Sequence, residues 1–286
     1  MKITPYKIVN FASARLLNRI HKIAFIPKSF VCFIENVCSY MLGKKIHFEY
    51  EKKSKTFIAT EREKKRYFSN AERGFWLYRN GIEKRSDFIF QSYCLQNLTL
   101  RTGDVIIDCG ANSGDLSMKL YDICESIEYI GIEPSPPDYE VLTKNINNQN
   151  SNLLQIALGN TNDSLKFYVC SEKGDSSLVE PPSYSDVINV DVVTLESLFR
   201  SLNIEKVKLI KIEAEGFEPE ILEGAQGILH NVEYIAVDGG YERGKDCEQT
   251  LTTCTNFLLH NNFEMVDIYF PWYRALFRNK LFLQDE

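Results

Sequence analysis

Glu213 and Glu215 flank a single alanine in Lys-Ile-Glu-Ala-Glu-Gly-Phe, and Asp238 closes the apolar run Val-Glu-Tyr-Ile-Ala-Val-Asp. Carboxylates at the tips of two successive strands can take the proton of a hydroxyl nucleophile. Alternatively, two of them can hold a Mg²⁺-like ion that polarises the hydroxyl. A structural role competes with both: the glutamates can cap the helix starting near Pro219 and orient the turn. Upstream, Asp108 ends Val-Ile-Ile-Asp, Gly110 and Gly114 follow, and Glu133 ends Tyr-Ile-Gly-Ile-Glu. Glycines let the backbone approach a ligand without a Cβ clash. An acid at the tip of the second strand can take both hydroxyls of a ribose. The pair describes a nucleoside-containing ligand, against the structural alternative of a bare strand-turn-helix.

The spacing narrows the nucleoside. No Gly-Lys-Ser/Thr follows the glycines, so the turn is not a P-loop. Gly110-Ala111-Asn112-Ser113-Gly114 does not supply the G-x-G-x-x-G of a dinucleotide fold. An acid two residues before the first glycine can answer the positive ammonium of S-adenosylmethionine.

These residues need strands to end on. The runs VIIDC, YIGIE, LLQIAL, VKLIKIE and VEYIAVD alternate with helical candidates at 114–124, 138–148, 194–203 and 218–230. Continuous apolar strands alternating with helices predict an α/β fold, a parallel sheet covered on both faces. Pro136 and Pro137 behind Ser135 suit a first helical turn, as does Pro219. The polar stretch 171–189 reads as a mobile loop. Residues 8–26 and the following SFVCFIENVCSYMLGKK read as two amphipathic helices, the second ending at Gly43. Residues 47–75 are polar and charge-rich. The expected organisation is an N-terminal helical, basic segment over 1–75 and a catalytic domain over 76–286.

Composition is that of an ordinary globular protein, with 44% hydrophobic and 25% charged residues. The net charge of −6 argues against a nucleic-acid binder. Residues 1–45, however, carry eight Lys/Arg against one acid, a charge of about +7, which leaves about −13 on the remainder. Such a segment is expected to meet an anionic partner, either a phosphate-bearing lipid-linked glycan or the inner membrane surface. The bland alternative is packing on the catalytic domain or on a second subunit. The eight cysteines have no metal-ligand spacing and are read as reduced and mostly buried in a cytoplasmic protein. Neither a signal peptide nor a transmembrane run is read from the sequence.

The blocks DVIIDCGANSGDLS, YIGIEPSP, LLQIALGN, INVDVVTLESL, VKLIKIEAEGFEPEILEGA and VEYIAVD resemble, in order and spacing, the FkbM family of S-adenosylmethionine-dependent methyltransferases. The resemblance covers roughly residues 85–270. It implies the class I (Rossmann-like) methyltransferase fold: a seven-stranded, mostly parallel sheet whose C-terminal hairpin would be FEMVDIY and RALFRN. It also implies that Asp108, Gly110, Ala111, Asn112 and Gly114 line the methionine and ribose side. Glu133, Pro134 and Ser135 would hold the ribose, and Ala157 and Leu158 would flank the adenine. Glu213 stands where the family usually has Asp, and Asp238 where it often has Glu. The implied reaction is O-methylation of a sugar hydroxyl in glycan or surface-polysaccharide biosynthesis. The alternatives are O- or N-methylation of a polyketide or peptide product, a nicotinamide-linked oxidoreductase, and a catalytically dead nucleoside-binding module. His230 and His260 are weaker candidates for a base, each reading better as structural. Lys211 reads as a satisfied strand residue. The aromatic run YFPWYRALF could stack on a sugar but reads first as core or dimer contact.

Overall fold

The computed structural model describes residues 26–170 and 175–284. The predicted helix over 8–26 lies almost wholly outside them. The chain divides into two compact units after Arg85.

In the first unit, helix α1 (Lys28–Met41) precedes an antiparallel meander of β1 (His47–Glu51), β2 (Thr56–Glu61) and β3 (Lys64–Phe68), followed by α2 (Ala71–Tyr78). Helix α1 ends where expected, with Gly43 at positive φ just beyond it. The meander corrects the expectation of a helical segment over 1–75. Its outer strands β1 and β3 alternate, with Glu and Lys at outward positions, so a count of polar residues hides the period of two. Phe48, Phe57, Phe68 and Phe75 are buried together, with ring centroids 4.9–6.3 Å apart. Phe75 and Tyr78 of α2 complete this aromatic core, so the division falls at residue 85, inside α3 (Ile82–Ser92), rather than at 75.

The second unit contains β4 (Val105–Cys109), α4 (Asp115–Ile123), β5 (Glu128–Ile132), α5 (Pro136–Asn145) and β6 (Ser151–Leu154). After β7 (Ala157–Leu158), β8 (Asp163–Val169) and β9 (Asp186–Val193) come α6 (Leu195–Leu202), β10 (Val207–Ile212), α7 (Glu218–Glu223) and β11 (Val232–Asp238). A small hairpin, β12 (Tyr241–Arg243) with β13 (Glu248–Gln249), precedes α8 (Leu251–His260), β14 (Phe263–Tyr269) and β15 (Arg274–Asn279). The main sheet has the order β14-β15-β11-β10-β4-β5-β6. Only β15 runs antiparallel to its two neighbours. This is the class I methyltransferase arrangement, with the C-terminal hairpin in the predicted place. Consecutive strand residues face opposite sides: Ile107, Ile130, Ile210 and Ile235 enter one buried cluster, Ile106, Tyr129, Leu209 and Tyr234 the other. Two buried faces explain why these strands read as unbroken apolar runs.

Two local expectations change. LLQIAL is not one strand: β6 joins the main sheet, while β7 pairs with β9 in a side sheet ordered β7-β9-β8. The predicted loop over 171–189 is shorter, because Asp186–Asn189 already pair with β8. The prolines sit as expected in the first turns of α5 and α7.

Candidate active site

In a parallel sheet with this order the crevice opens at the carboxyl ends, between β4 and β10, where the strand sequence reverses direction. Register brings Asp108 beside Lys211 and beside Gly131, and Asp238 opposite Arg274. Every acid singled out from the sequence therefore falls on one edge of the sheet. Their partners divide them.

Asp108 is buried and faces inward. Its Oδ2 accepts from the Tyr129 hydroxyl at 2.6 Å, and its Oδ1 lies 3.0 Å from Lys211 Nζ. Lys211 also pairs with Glu213 Oε2 at 2.9 Å and donates to the carbonyls of Cys109 and Gly110 at 3.1 and 2.8 Å. These anions hold its proton more tightly than usual against the opposing effect of burial. Asp108 thus acts through Lys211, which pins the first carbonyls of the glycine turn. The expected satisfied role of Lys211 holds.

The glycines have internal reasons as well. Gly110 lies at φ +73, and a Cβ there would collide with the carbonyl oxygen of Glu213. Gly114 lies at φ +77, with a Cβ 2.9 Å from Ile146 and Leu142. Asn112 shares the left-handed region at φ +49. Backbone crowding between β4 and β10, and packing of α5, require these positions to be small.

Glu133 is the residue whose surroundings fit a nucleoside. Its Oε2 accepts from Asn112 N and its Oε1 from Ser135 N, both at 2.9 Å. Each carboxylate oxygen retains a further acceptor site, which matches a cis-diol offering two hydroxyls. Burial, with Asp138 nearby, raises Glu133 to about 8. Ser135 caps α5 by position, and Pro134 lies between it and Glu133. Ala111 is buried against the β4 side of the core. Ala157 and Leu158 are buried in β7, Leu158 within the main core and Ala157 within the side-sheet cluster. The donor set thus fits the ribose of S-adenosylmethionine at Glu133, while Asp108 is oriented toward Lys211 and Tyr129. Glu133→Ala should weaken binding of the cofactor or its demethylated product by about thirtyfold, measured by calorimetry, since two hydrogen bonds to the ribose at about 1 kcal/mol each are lost. Affinity within twofold of the parent would remove the ribose assignment.

Glu213 and Asp238 are joined by Arg274. Its Nε meets Asp238 Oδ2 at 2.6 Å, one terminal nitrogen meets Glu213 Oε1 at 2.8 Å, and the other donates to Ser92 Oγ at 2.7 Å. The guanidinium lies 4.3 Å from the centroid of the buried Tyr93 ring. Burial raises Asp238 despite this cation. Glu213 therefore has both oxygens engaged by cations, Lys211 and Arg274. A guanidinium also occupies the place a divalent ion would take between Glu213 and Asp238. Among the described residues no group of three His, Cys, Asp or Glu side chains is arranged to hold a metal.

Glu215 differs. It sits at φ +49 in a turn that the buried Glu218 ties down, accepting from Ala214 N at 2.9 Å, Gly216 N at 3.0 Å and Thr250 Oγ1 at 2.8 Å. That turn delivers Glu215 to a cavity of about 400 Å³ shared with Glu242, Tyr184, Tyr241, Asp175 and Cys247. Glu242 hydrogen-bonds to Glu215, and burial among Asp238, Glu213 and Glu218 lifts it to about 8. Two carboxyls in contact retain a proton between them because both cannot ionise at ordinary cost.

The FkbM methyltransferase domain matches residues 108–265, more than half of the chain. The chain belongs to the FkbM methyltransferase family. Among curated relatives, the hexuronic acid methyltransferase AglP of Haloferax volcanii is 23% identical over 145 residues, 47% of this chain and 55% of that protein. The chain thus aligns with about half of AglP's length. The methyltransferase sdnD of Sordaria araneosa is 25% identical over 210 residues, 55% of this chain and 81% of that protein. A precorrin-6y C5,15-methyltransferase from Geobacter metallireducens superposes with a TM-score of 0.43 at 13% identity, covering 74% of this chain and 95% of that one.

Sequence reasoning missed Arg274, Glu218 and Glu242. An arginine opening the apolar strand Arg-Ala-Leu-Phe needs buried anions, which was the available signal for Arg274. Glu242 lies only four residues beyond Asp238. The aromatic run divides: Ala275–Phe277 are core, whereas Phe270, Trp272 and Tyr273 are exposed, and Tyr273 packs edge-on against Tyr241 at 5.2 Å. His230 and His260 are exposed; His230 lies in the short 3-10 helix before β11, and His260 ends α8 before β14.

Proposed function

We propose that this FkbM methyltransferase O-methylates a neutral sugar unit during glycan assembly, with the Glu215–Glu242 pair accepting the proton. The supporting observation is the cavity: tyrosine faces suit the C–H faces of a pyranose, and carboxyls accept from its hydroxyls. S-adenosylmethionine supplies an electrophilic sulfonium methyl, so no covalent intermediate on the enzyme is required. The chain has to align the acceptor oxygen behind that carbon and remove its proton as the new C–O bond forms. Glu215 is carried on the turn that follows β10, one residue from Ala214 and two from Glu213. Lys211 and the Glu213 backbone hold that turn against β4, and Arg274 ties Glu213 to β15.

The relative AglP is named for a hexuronic acid. Here Glu215, Glu242 and Asp175 line the cavity, and a hexuronate carboxylate would meet like charge. A neutral acceptor follows from that charge pattern. All eight cysteines are free thiols, which suits a reducing compartment, and we place the reaction in the cytoplasm. Among the described residues no helix is long and apolar enough to cross a membrane.

The test is a panel of neutral glycosides and hexuronosides incubated with radiolabelled S-adenosylmethionine. Label should enter neutral glycosides and leave the hexuronosides unmodified. The reverse order would overturn the neutral-sugar assignment, and label on amines alone would overturn O-methylation.

A further inference from the structure

Helix α1 has two opposite faces, one buried within its own unit and one exposed. Val31, Cys32, Glu35 and Ser39 are buried within its own unit. On the other side Phe30, Phe33, Val37, Tyr40 and Met41 are 50, 60, 41, 85 and 73% exposed. At 100° per residue these five fall within one arc of about 100°, diametrically opposite the buried arc. Five large apolar side chains in one exposed stripe exceed scattered surface hydrophobics and mark a contact surface.

Charge indicates what covers it. Lys44 and Lys45 follow the helix directly. Arg79 and Lys84 lie close enough to Lys44 that Arg79 and Lys84, together with burial, make its proton easier to lose. Glu35 is the sole acid in residues 1–45, and it is buried, with Arg79 and Lys44 facing it. The rim of the stripe at its C-terminal end is therefore cationic, with no exposed acid from the segment to offset it. An apolar stripe bordered by lysine and arginine matches the acyl–headgroup boundary of an anionic bilayer, where the side chains enter the boundary and the cations meet phosphate.

We propose that the exposed face of α1 docks this protein on an anionic lipid surface, with Phe30, Phe33, Val37, Tyr40 and Met41 inserted and Lys44, Lys45 and Lys84 on headgroups. This is independent of the acceptor reading, because none of these residues lines the cavity.

The full chain is sedimented with vesicles of phosphatidylcholine alone and with about one third phosphatidylserine. It should pellet with the anionic vesicles at low salt and be released as salt rises. Phe33→Ser with Tyr40→Ser should lower partitioning by tenfold or more, because two large apolar side chains no longer leave water. Lys44→Gln with Lys84→Gln should lower it by about fivefold per charge and flatten the salt dependence. Phe33, Tyr40 and Lys84 are exposed and Lys44 is half-buried, and thermal melting checks that each variant is folded. A full chain that stays in the supernatant with anionic vesicles at low salt overturns the proposal. So does undiminished binding by Phe33→Ser/Tyr40→Ser, which would locate the contact elsewhere in the chain. So does a parent dimer that this double variant makes monomeric without vesicle binding, which would identify a second copy as the occupant.

Discussion

Arg274→Ala should lower the stability of the catalytic unit by about 3–5 kcal/mol, the range for removing one partner of a buried ion pair. The substitution leaves Asp238 buried beside Glu213 with no cation between them, and it leaves Ser92 Oγ without its donor. It also opens a space against Tyr93, whose ring the guanidinium covers. For a unit of this size, a loss of that order lowers the melting temperature by about 10 °C. Arg274→Lys should recover only part of it, since one ammonium cannot serve Glu213, Asp238 and Ser92 with a planar fork. Melting of both variants by circular dichroism checks this. An Arg274→Ala protein melting within about 2 °C of the parent would mean that Glu213 and Asp238 relax to water at little cost.

The same network shows where sequence reading stopped. The parallel sheet and the carboxyl-edge location of the acids were legible because each is encoded locally, in apolar runs and turn residues, whereas the C-terminal hairpin came from the family resemblance. The meander over 47–68 was not, because its strands are short and carry charge on their outer faces. The shape of the glycine turn was legible, but its cause was only half so. Gly110 makes room for Glu213's carbonyl, a residue more than a hundred positions away. Glu213 looked like a base because of its place at a strand tip. One of its cations, Lys211, sits two residues before it; the other, Arg274, comes from the final hairpin, and a pairing at that separation leaves no periodic trace. What remained hidden was which carboxylates are already partnered, and that decides which acid is open to substrate.

Glu242→Gln should lower kcat by about 10² or more, with the affinity for S-adenosylmethionine changed less than twofold. A general base contributes about 10²–10⁴ to the rate, and a group that acts only in the transition state leaves ground-state binding intact. Glu242 is remote in sequence from the Glu133 pocket and lines the acceptor cavity. Glu215→Gln should behave alike, and the double variant should be little worse than either single one, because the two carboxyls share one proton and work as a unit. The pH profile separates this from a structural role. A base works deprotonated, so parental turnover should rise with pH through the region near 8, where burial and the neighbouring acids hold the Glu242 proton. In Glu242→Gln the group that titrates there is gone, so the rising limb near 8 should be lost. The Glu213→Gln variant should weaken stability and keep most of the turnover, with that limb displaced only downward, because Glu213 is one of the acids that raise Glu242. If instead Glu213→Gln abolishes turnover and Glu242→Gln leaves both rate and profile unchanged, the proton acceptor is Glu213, and the cavity carboxyls serve only to bind the acceptor's hydroxyls.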